Sequence, residues 1–183
     1  MKRAFLGIAL AALMAAPAIA ALKVGDTAPD FTAQASMGGK VQTFHLAEAL
    51  KNGPVVLYFY PAAFTPGCTV EAHEFADAMD RFHALGATVI GVSHDNIETL
   101  NKFSVSECRS KFPVAADTDQ TIMKEYDAVL DKNPAYANRT SYVIAPDGHV
   151  LYTFTDLDPS HHVENTMAAV QKWHDAHAQH GAY

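Results

Sequence analysis

The chain is short of cysteine, short of basic residues and without a second long apolar run. It has two Cys, and 13 Lys plus Arg against 20 Asp plus Glu in 183 residues, a formal charge of −7. Setting aside Lys2 and Arg3 leaves −9, and no Lys/Arg cluster occurs after them. That excludes the electrostatic footprint of a nucleic-acid or anionic-membrane partner. Glycine-rich phosphate loops, nucleophile-elbow motifs, acidic dyads, repeats and low-complexity tracts are all missing, and so is Cys-x-x-Cys. Histidine is plentiful: His174, His177 and His180 recur at spacings of three, with His161 and His162 before them. A zinc site needs a tighter ligand set and a supporting shell. The last helix is expected to fray after Trp173 and leave these histidines solvated, so neither a metal nor another cofactor is expected.

The first twenty residues form a pattern of their own. Met1-Lys-Arg3 is a basic start, Ala4 to Ala16 an apolar stretch, and Ala18-Ile-Ala20 a small-x-small cleavage site. This reads as a secretory signal peptide over 1–20, with an uncleaved N-terminal anchor as the alternative. Residues 21–183 are then a single domain, soluble and exported. Its 163 residues suffice to bury roughly 70% of their unfolded surface. Two cysteines in an exported domain are open to a plain reading as a structural disulfide.

The segment Tyr60-Pro-Ala-Ala-Phe-Thr-Pro-Gly-Cys68-Thr-Val-Glu71 points another way. It follows the apolar run Val55–Tyr60 and precedes an amphipathic stretch from Thr69 to about Leu85. That order predicts a buried strand, a turn with two prolines and a glycine, and a helix with Cys68 in its first turn. Unpaired N–H groups and the positive end of the helix dipole favour a thiolate there, and the thiolate is the nucleophile.

The remaining elements alternate. Gly38-Gly39 between Thr32–Ser36 and Lys40–Phe44 predicts an N-terminal β-hairpin, and Leu46–Leu50 a short helix. Thr88–Val92 is a strand, Asp95 or Asn96 caps a helix to about Cys108, and Phe112–Ala116 is another strand. A short helix over Asp119–Tyr126 precedes the hairpin of Ser141–Ile144 and His149–Phe154. Asp158-Pro159-Ser160 opens the last helix. The order predicts an α/β fold with a central mixed sheet flanked by helices, parallel in the middle and antiparallel at the edge.

Pro61-Ala-Ala-Phe-Thr65-Pro-Gly-Cys68 fits a proline-x-x-x-threonine-x-x-cysteine pattern, supported by Ala28-Pro-Asp-Phe31, Gly91-Val-Ser93 and Asn138-Arg139-Thr140. On these residues the chain resembles the peroxiredoxins, thiol peroxidases on an elaborated thioredoxin fold, and within them the Q-type (bacterioferritin-comigratory) branch. The resemblance runs from about Val24 to Trp173. It implies that Cys68 attacks hydrogen peroxide or an organic hydroperoxide and becomes a sulfenic acid. It implies that Thr65 sets its hydroxyl beside the thiolate, that Pro61 shields the pocket from water, and that Arg139 holds the thiolate and the departing oxygen. Glu71 would orient Arg139. The residues alone leave plainer readings open: a turn hydroxyl for Thr65, a surface ion pair for Arg139, a helix-start charge for Glu71.

One departure stands out. Much of the Q-type branch has a second cysteine five residues after the first, where this chain has His73. Cys108 is then the candidate resolving thiol, closing an intramolecular disulfide with Cys68 after local unwinding. It is alternatively a buried bystander or half of a static bridge. The polar stretch Phe103–Phe112, ending before Pro113, suits a mobile helix end. The implied partners are a peroxide and a thioredoxin-like protein or small thiol as reductant, acting on a monomer or weak homodimer in a bacterial periplasm. Competing readings are a one-cysteine peroxidase and an exported thiol–disulfide oxidoreductase or non-catalytic thioredoxin-like module. The missing Cys-x-x-Cys speaks against the last two.

Overall fold

In the computed structural model residues 22–178 are described. The expected signal segment over 1–20 and His180 lie outside the described residues. At the centre is β3 (Val55–Phe59), buried at every position because apolar β-branched and aromatic residues run without a polar break. It pairs in parallel with β4 (Thr88–Ser93) and antiparallel with β6 (Thr140–Ile144). The seven-stranded sheet has the order β2-β1-β5-β4-β3-β6-β7, where β1 is Thr32–Met37, β2 Lys40–His45, β5 Val114–Ala116 and β7 Val150–Thr155. Only the β3–β4 and β4–β5 pairings are parallel. The expected mixed sheet, its parallel middle and the N-terminal hairpin are therefore all present.

The period of two along β3 divides the core. Val55, Leu57 and Phe59 belong to an apolar cluster with α1 (Leu46–Leu50) and α4 (Thr121–Glu125). Val56, Tyr58 and Tyr60 belong to a second, with α2 (Pro66–Ala84), α3 (Ile97–Ser106) and α5 (His162–Ala178). Both cysteines lie in this second cluster. Tyr58 stacks on Phe75 of α2 with ring centroids 4.4 Å apart. It can lie there because its strand partner is Gly91, where a Cβ would come within 2.7 Å of the tyrosine ring. Close backbone approach, rather than turn chemistry, accounts for that glycine.

Several boundaries differ from the sequence reading. Helix α2 begins at Pro66, ahead of the amphipathic stretch from Thr69, because proline's fixed φ suits the first helical position, and Cys68 falls in its first turn as expected. Helix α3, capped by Asn96 accepting from the Thr99 N–H at 2.8 Å, stops at Ser106, so Cys108 lies beyond it. Strand β5 starts only at Val114. The last helix does not fray after Trp173: it continues to Ala178, with Trp173 stacked on His177 at 4.3 Å and His177 Nδ1 donating to the Trp173 carbonyl at 2.7 Å.

Candidate active site

The loop from Tyr60 to Thr65 leaves the C-terminal end of β3 and is pinned from below by β4. The Tyr60 N–H donates to the Val92 carbonyl at 3.1 Å. Asp95 accepts from the Ala63 N–H at 2.7 Å and from the Ser93 hydroxyl at 2.8 Å. His94 Nδ1 donates to the Pro61 carbonyl at 3.1 Å, and its ring meets Tyr136 edge-on at 4.6 Å. Phe64 takes the left-handed φ of 64°, a cost its edge-on contact with Phe103 at 5.3 Å helps to offset. Sequence reasoning missed Asp95 and His94 as loop anchors: Asp95 read only as a candidate helix cap, a role Asn96 takes, and His94 carries no local signal beyond following β4.

Thr65 is the residue before α2, in extended conformation with φ −78° and ψ 150°. Its hydroxyl donates to the Ala62 carbonyl at 2.9 Å and does not cap the helix. Its single hydrogen is thus taken by the turn and is not donated to the Cys68 sulfur. Pro61 is half-buried at the head of the same loop.

Cys68 is the third residue of α2 and only 1% exposed. No side chain caps this helix, so its first-turn N–H groups and dipole act on the sulfur uncovered. Arg139, just before β6, brings the second positive group, with Nη2 donating to Cys68 Sγ at 3.4 Å. The other arms of the fork are also committed. Nε donates to the Leu157 carbonyl at 2.9 Å, and Nη1 donates to Glu71 Oε2. Burial works against the Arg139 charge, yet Glu71 and Cys68 outweigh it and hold the guanidinium above its usual value. Glu71 is wholly buried, and that burial pushes its carboxyl up to about 8 against the pull of Arg139. Its second oxygen, Oε1, has no hydrogen-bond partner.

Gly67 makes the approach possible. A Cβ at this position would stand 3.1 Å from Arg139 Nη2, tighter than nearly all real contacts of that kind. The glycine was visible in the sequence only as a turn residue.

Cys108 has a different setting. It is fully buried, and its N–H donates to the Phe103 carbonyl at 3.1 Å. Burial, reinforced by Glu107, pushes its thiol well up, so no cation favours a thiolate there. The expected mobile helix end is in fact clamped to α2 at three points. His73 Nε2 and Glu107 Oε2 are 2.8 Å apart, Arg109 pairs with Asp77, and Lys111 lies 3.6 Å from Asp80. Arg109 and Ser110 hold left-handed φ of 50° and 58°, which turn the chain so that Cys108 and Phe112 face inward. Both cysteines are free thiols, so the static bridge is not present.

The structure thus joins Cys68, Glu71 and Arg139 at the end of β3, with Pro61 and Thr65 on the adjoining loop, and Cys108 is a second buried thiol of the same apolar cluster with none of these partners. The AhpC/TSA family pattern matches residues 24–153. The chain is 32% identical over 162 residues to peroxiredoxin Bcp of Escherichia coli K12, covering 86% of this chain and 98% of that protein. It is also 32% identical over 148 residues to a putative chloroplastic peroxiredoxin Q of Oryza sativa subsp. indica, covering 80% of this chain and 66% of the rice protein's length. The crystal structure of peroxidoxin BcpB from Mycobacterium tuberculosis superposes with a TM-score of 0.74 at 31% identity, over 82% of this chain and 97% of that one. Fold, pattern and relatives agree: this chain belongs to the AhpC/TSA family and carries the peroxiredoxin form of the thioredoxin-like fold.

Proposed function

We propose that this chain, a thiol peroxidase by family, reduces hydrogen peroxide and organic hydroperoxides at Cys68. The Cys68 thiolate attacks the nearer peroxide oxygen, the O–O bond breaks, and the remaining oxygen leaves as water or an alcohol after taking up a proton. Cys68 becomes a sulfenic acid. Arg139 steadies the thiolate and then the charge on the departing oxygen, a kind of stabilisation worth on the order of 3–4 kcal/mol for one donor. Pro61 walls the pocket, Glu71 aims the guanidinium, and Thr65 supplies its hydroxyl once peroxide draws it from the Ala62 carbonyl.

Cys108 then attacks the sulfenic sulfur, releasing water and closing a Cys68–Cys108 disulfide. A thioredoxin-like dithiol or a small thiol reduces that bridge. The protein works after export, in a periplasm, as a monomer or weak homodimer. The observation that carries the reading is the 3.4 Å contact of Arg139 Nη2 with a cysteine in the first turn of α2. A second reading, a one-cysteine peroxidase with Cys108 a bystander, is favoured by the complete burial of Cys108.

Stopped-flow oxidation of the reduced protein, followed by mass mapping of sulfur species, tests both. Cys68→Ser is expected to abolish peroxide consumption with reductant in excess, and wild-type turnover in that variant would remove the central assignment. Cys108→Ser is expected to keep the first oxidation fast and accumulate sulfenic and overoxidised Cys68. Undiminished turnover with no internal disulfide would establish the one-cysteine reading.

A further inference from the structure

Helix α5 opens on a side chain that points inward. His162 is wholly buried behind the pocket, and two partners fix its ring. Nε2 lies 2.9 Å from the Asp156 carbonyl, which can only accept, so Nε2 carries the hydrogen. Nδ1 is then the acceptor, 2.8 Å from the Ser141 hydroxyl. The same Nδ1 is 3.8 Å from Glu71 Oε1, the buried oxygen without a partner. A buried carboxylate oxygen left unpaired is costly, and a shift of about 1 Å would bring the two groups to hydrogen-bond distance. His162, Glu71, Arg139 and Cys68 thus form one line from α5 to the sulfur.

We propose that Glu71 and His162 hold a single proton between them behind Arg139, and that His162 is a positioning residue that keeps that proton in place. While the pair is protonated, the Arg139 charge faces the Cys68 sulfur uncancelled. When the proton leaves to solvent, the carboxylate draws the guanidinium to itself and oxidation of Cys68 slows. The raised Glu71 carboxyl accords with this, as does burial lowering the affinity of the imidazole for a proton of its own. Glu74 on α2 raises the Glu71 affinity further, while Asp156 and Asp158 face His162 from the β7–α5 connection and His161 faces Glu74 and Asp158. The inference rests on Cys68 as the attacked thiol.

The test is the pH profile of Cys68 oxidation by hydrogen peroxide, with ¹⁵N NMR of the His162 ring alongside. The wild-type rate is expected to fall on the alkaline side with a midpoint near 8, and Glu71→Gln, neutral at every pH, to lose that fall. His162→Leu removes the acceptor and should move the fall down by about one pH unit, a tenfold loss of proton affinity. His162→Asn, with an amide oxygen in place of Nδ1, should restore it. Ser141→Ala frees Nδ1 for the carboxyl and should move the fall in the opposite direction. A merely structural role for His162 does not predict shifts of opposite sign. Profiles unchanged in His162→Leu and Ser141→Ala would overturn the proposal. Should His162→Leu fail to fold, Ser141→Ala and the wild-type Nδ1 resonance decide: a titration with the midpoint of the rate supports it, and a flat Nδ1 signal across that range overturns it. The same resonance followed in Cys68→Ser reads the shared proton independently of which thiol peroxide attacks.

Discussion

Cys68 and Cys108 lie in the same apolar cluster and are almost equally hidden from solvent, at 1% and 0% exposure. What surrounds them differs in kind. Cys68 is held by polar groups wholly inside the protein: Arg139 and Glu71 are 4% and 0% exposed. Two of the three pairs that clamp the Cys108 segment lie on the outside, Asp77 with Arg109 and Asp80 with Lys111, whose side chains are 46% to 88% exposed, while the third, His73 with Glu107, is half-buried. Burial raises a thiol, whereas a cation aimed at the sulfur counters that rise. The two settings are therefore opposite. Cys68 faces a cation that water cannot screen, and Cys108 lies behind a clasp whose outer pairs are open to water.

If that contrast is right, removing one inner partner should cost far more than removing an outer one. Glu71→Ala, which leaves Arg139 buried with a missing partner, is expected to lose about 3–5 kcal/mol in urea unfolding. Asp77→Asn should lose about 0.2–1 kcal/mol. Equal losses would end the distinction.

A smaller effect separates charge from geometry at the inner site. Arg139→Lys keeps the charge but replaces a planar fork by a point donor, while three groups compete for the fork here. The rate constant for Cys68 oxidation should fall at least about tenfold, equivalent to roughly 1.4 kcal/mol. An unchanged stopped-flow rate would place Arg139 outside the chemistry.

Acidity distinguishes the regions too. The folded protein holds the Glu71 proton more tightly than the unfolded chain, so that contribution is complete below about 4.5 and lost as pH rises through about 8. His162 is shifted the other way, and its contribution is lost as pH falls below about 6.5. Between those last two values only Glu71 acts: wild-type stability should decline with rising pH, and Glu71→Gln should flatten the decline in denaturant titrations.

The outer clasp predicts the mildest effect. Salt near 1 M screens charges beyond about 3 Å. It should speed Cys68–Cys108 disulfide formation about two- to fivefold, as scored by alkylation and non-reducing mass analysis, and Asp77→Asn should reproduce the gain at low salt. If neither changes the rate, apolar burial alone holds Cys108.

The inner region was largely legible in the sequence because its parts are local. Val55–Tyr60, the prolines at 61 and 66, and Cys68 announce strand, turn and helix within fourteen residues. Arg139 and Glu71 came through resemblance, since 68 residues separate them and no periodicity links them. His162 and Ser141 stayed hidden, and Asp95 read only as a candidate cap, for the same reason: each acts on the site from another element. The Thr65 hydroxyl donates to a turn carbonyl that competes for its hydrogen, and such competition leaves no trace in a pattern. The clamp on Cys108 was missed because polar residues next to a proline read as a loose end until their partners on α2 are seen.

Gly67 shows what the inner arrangement gives up. Alanine favours a helix interior over glycine by as much as about 1 kcal/mol, and Gly67, the second residue of α2, forgoes at most part of that. In Gly67→Ala the methyl group would stand 3.1 Å from Arg139 Nη2 and force the guanidinium back from the sulfur by a few tenths of an ångström. A single carbon atom would then slow the oxidation of Cys68 whatever it adds to the helix, a trade of reactivity against helix propensity at one backbone position.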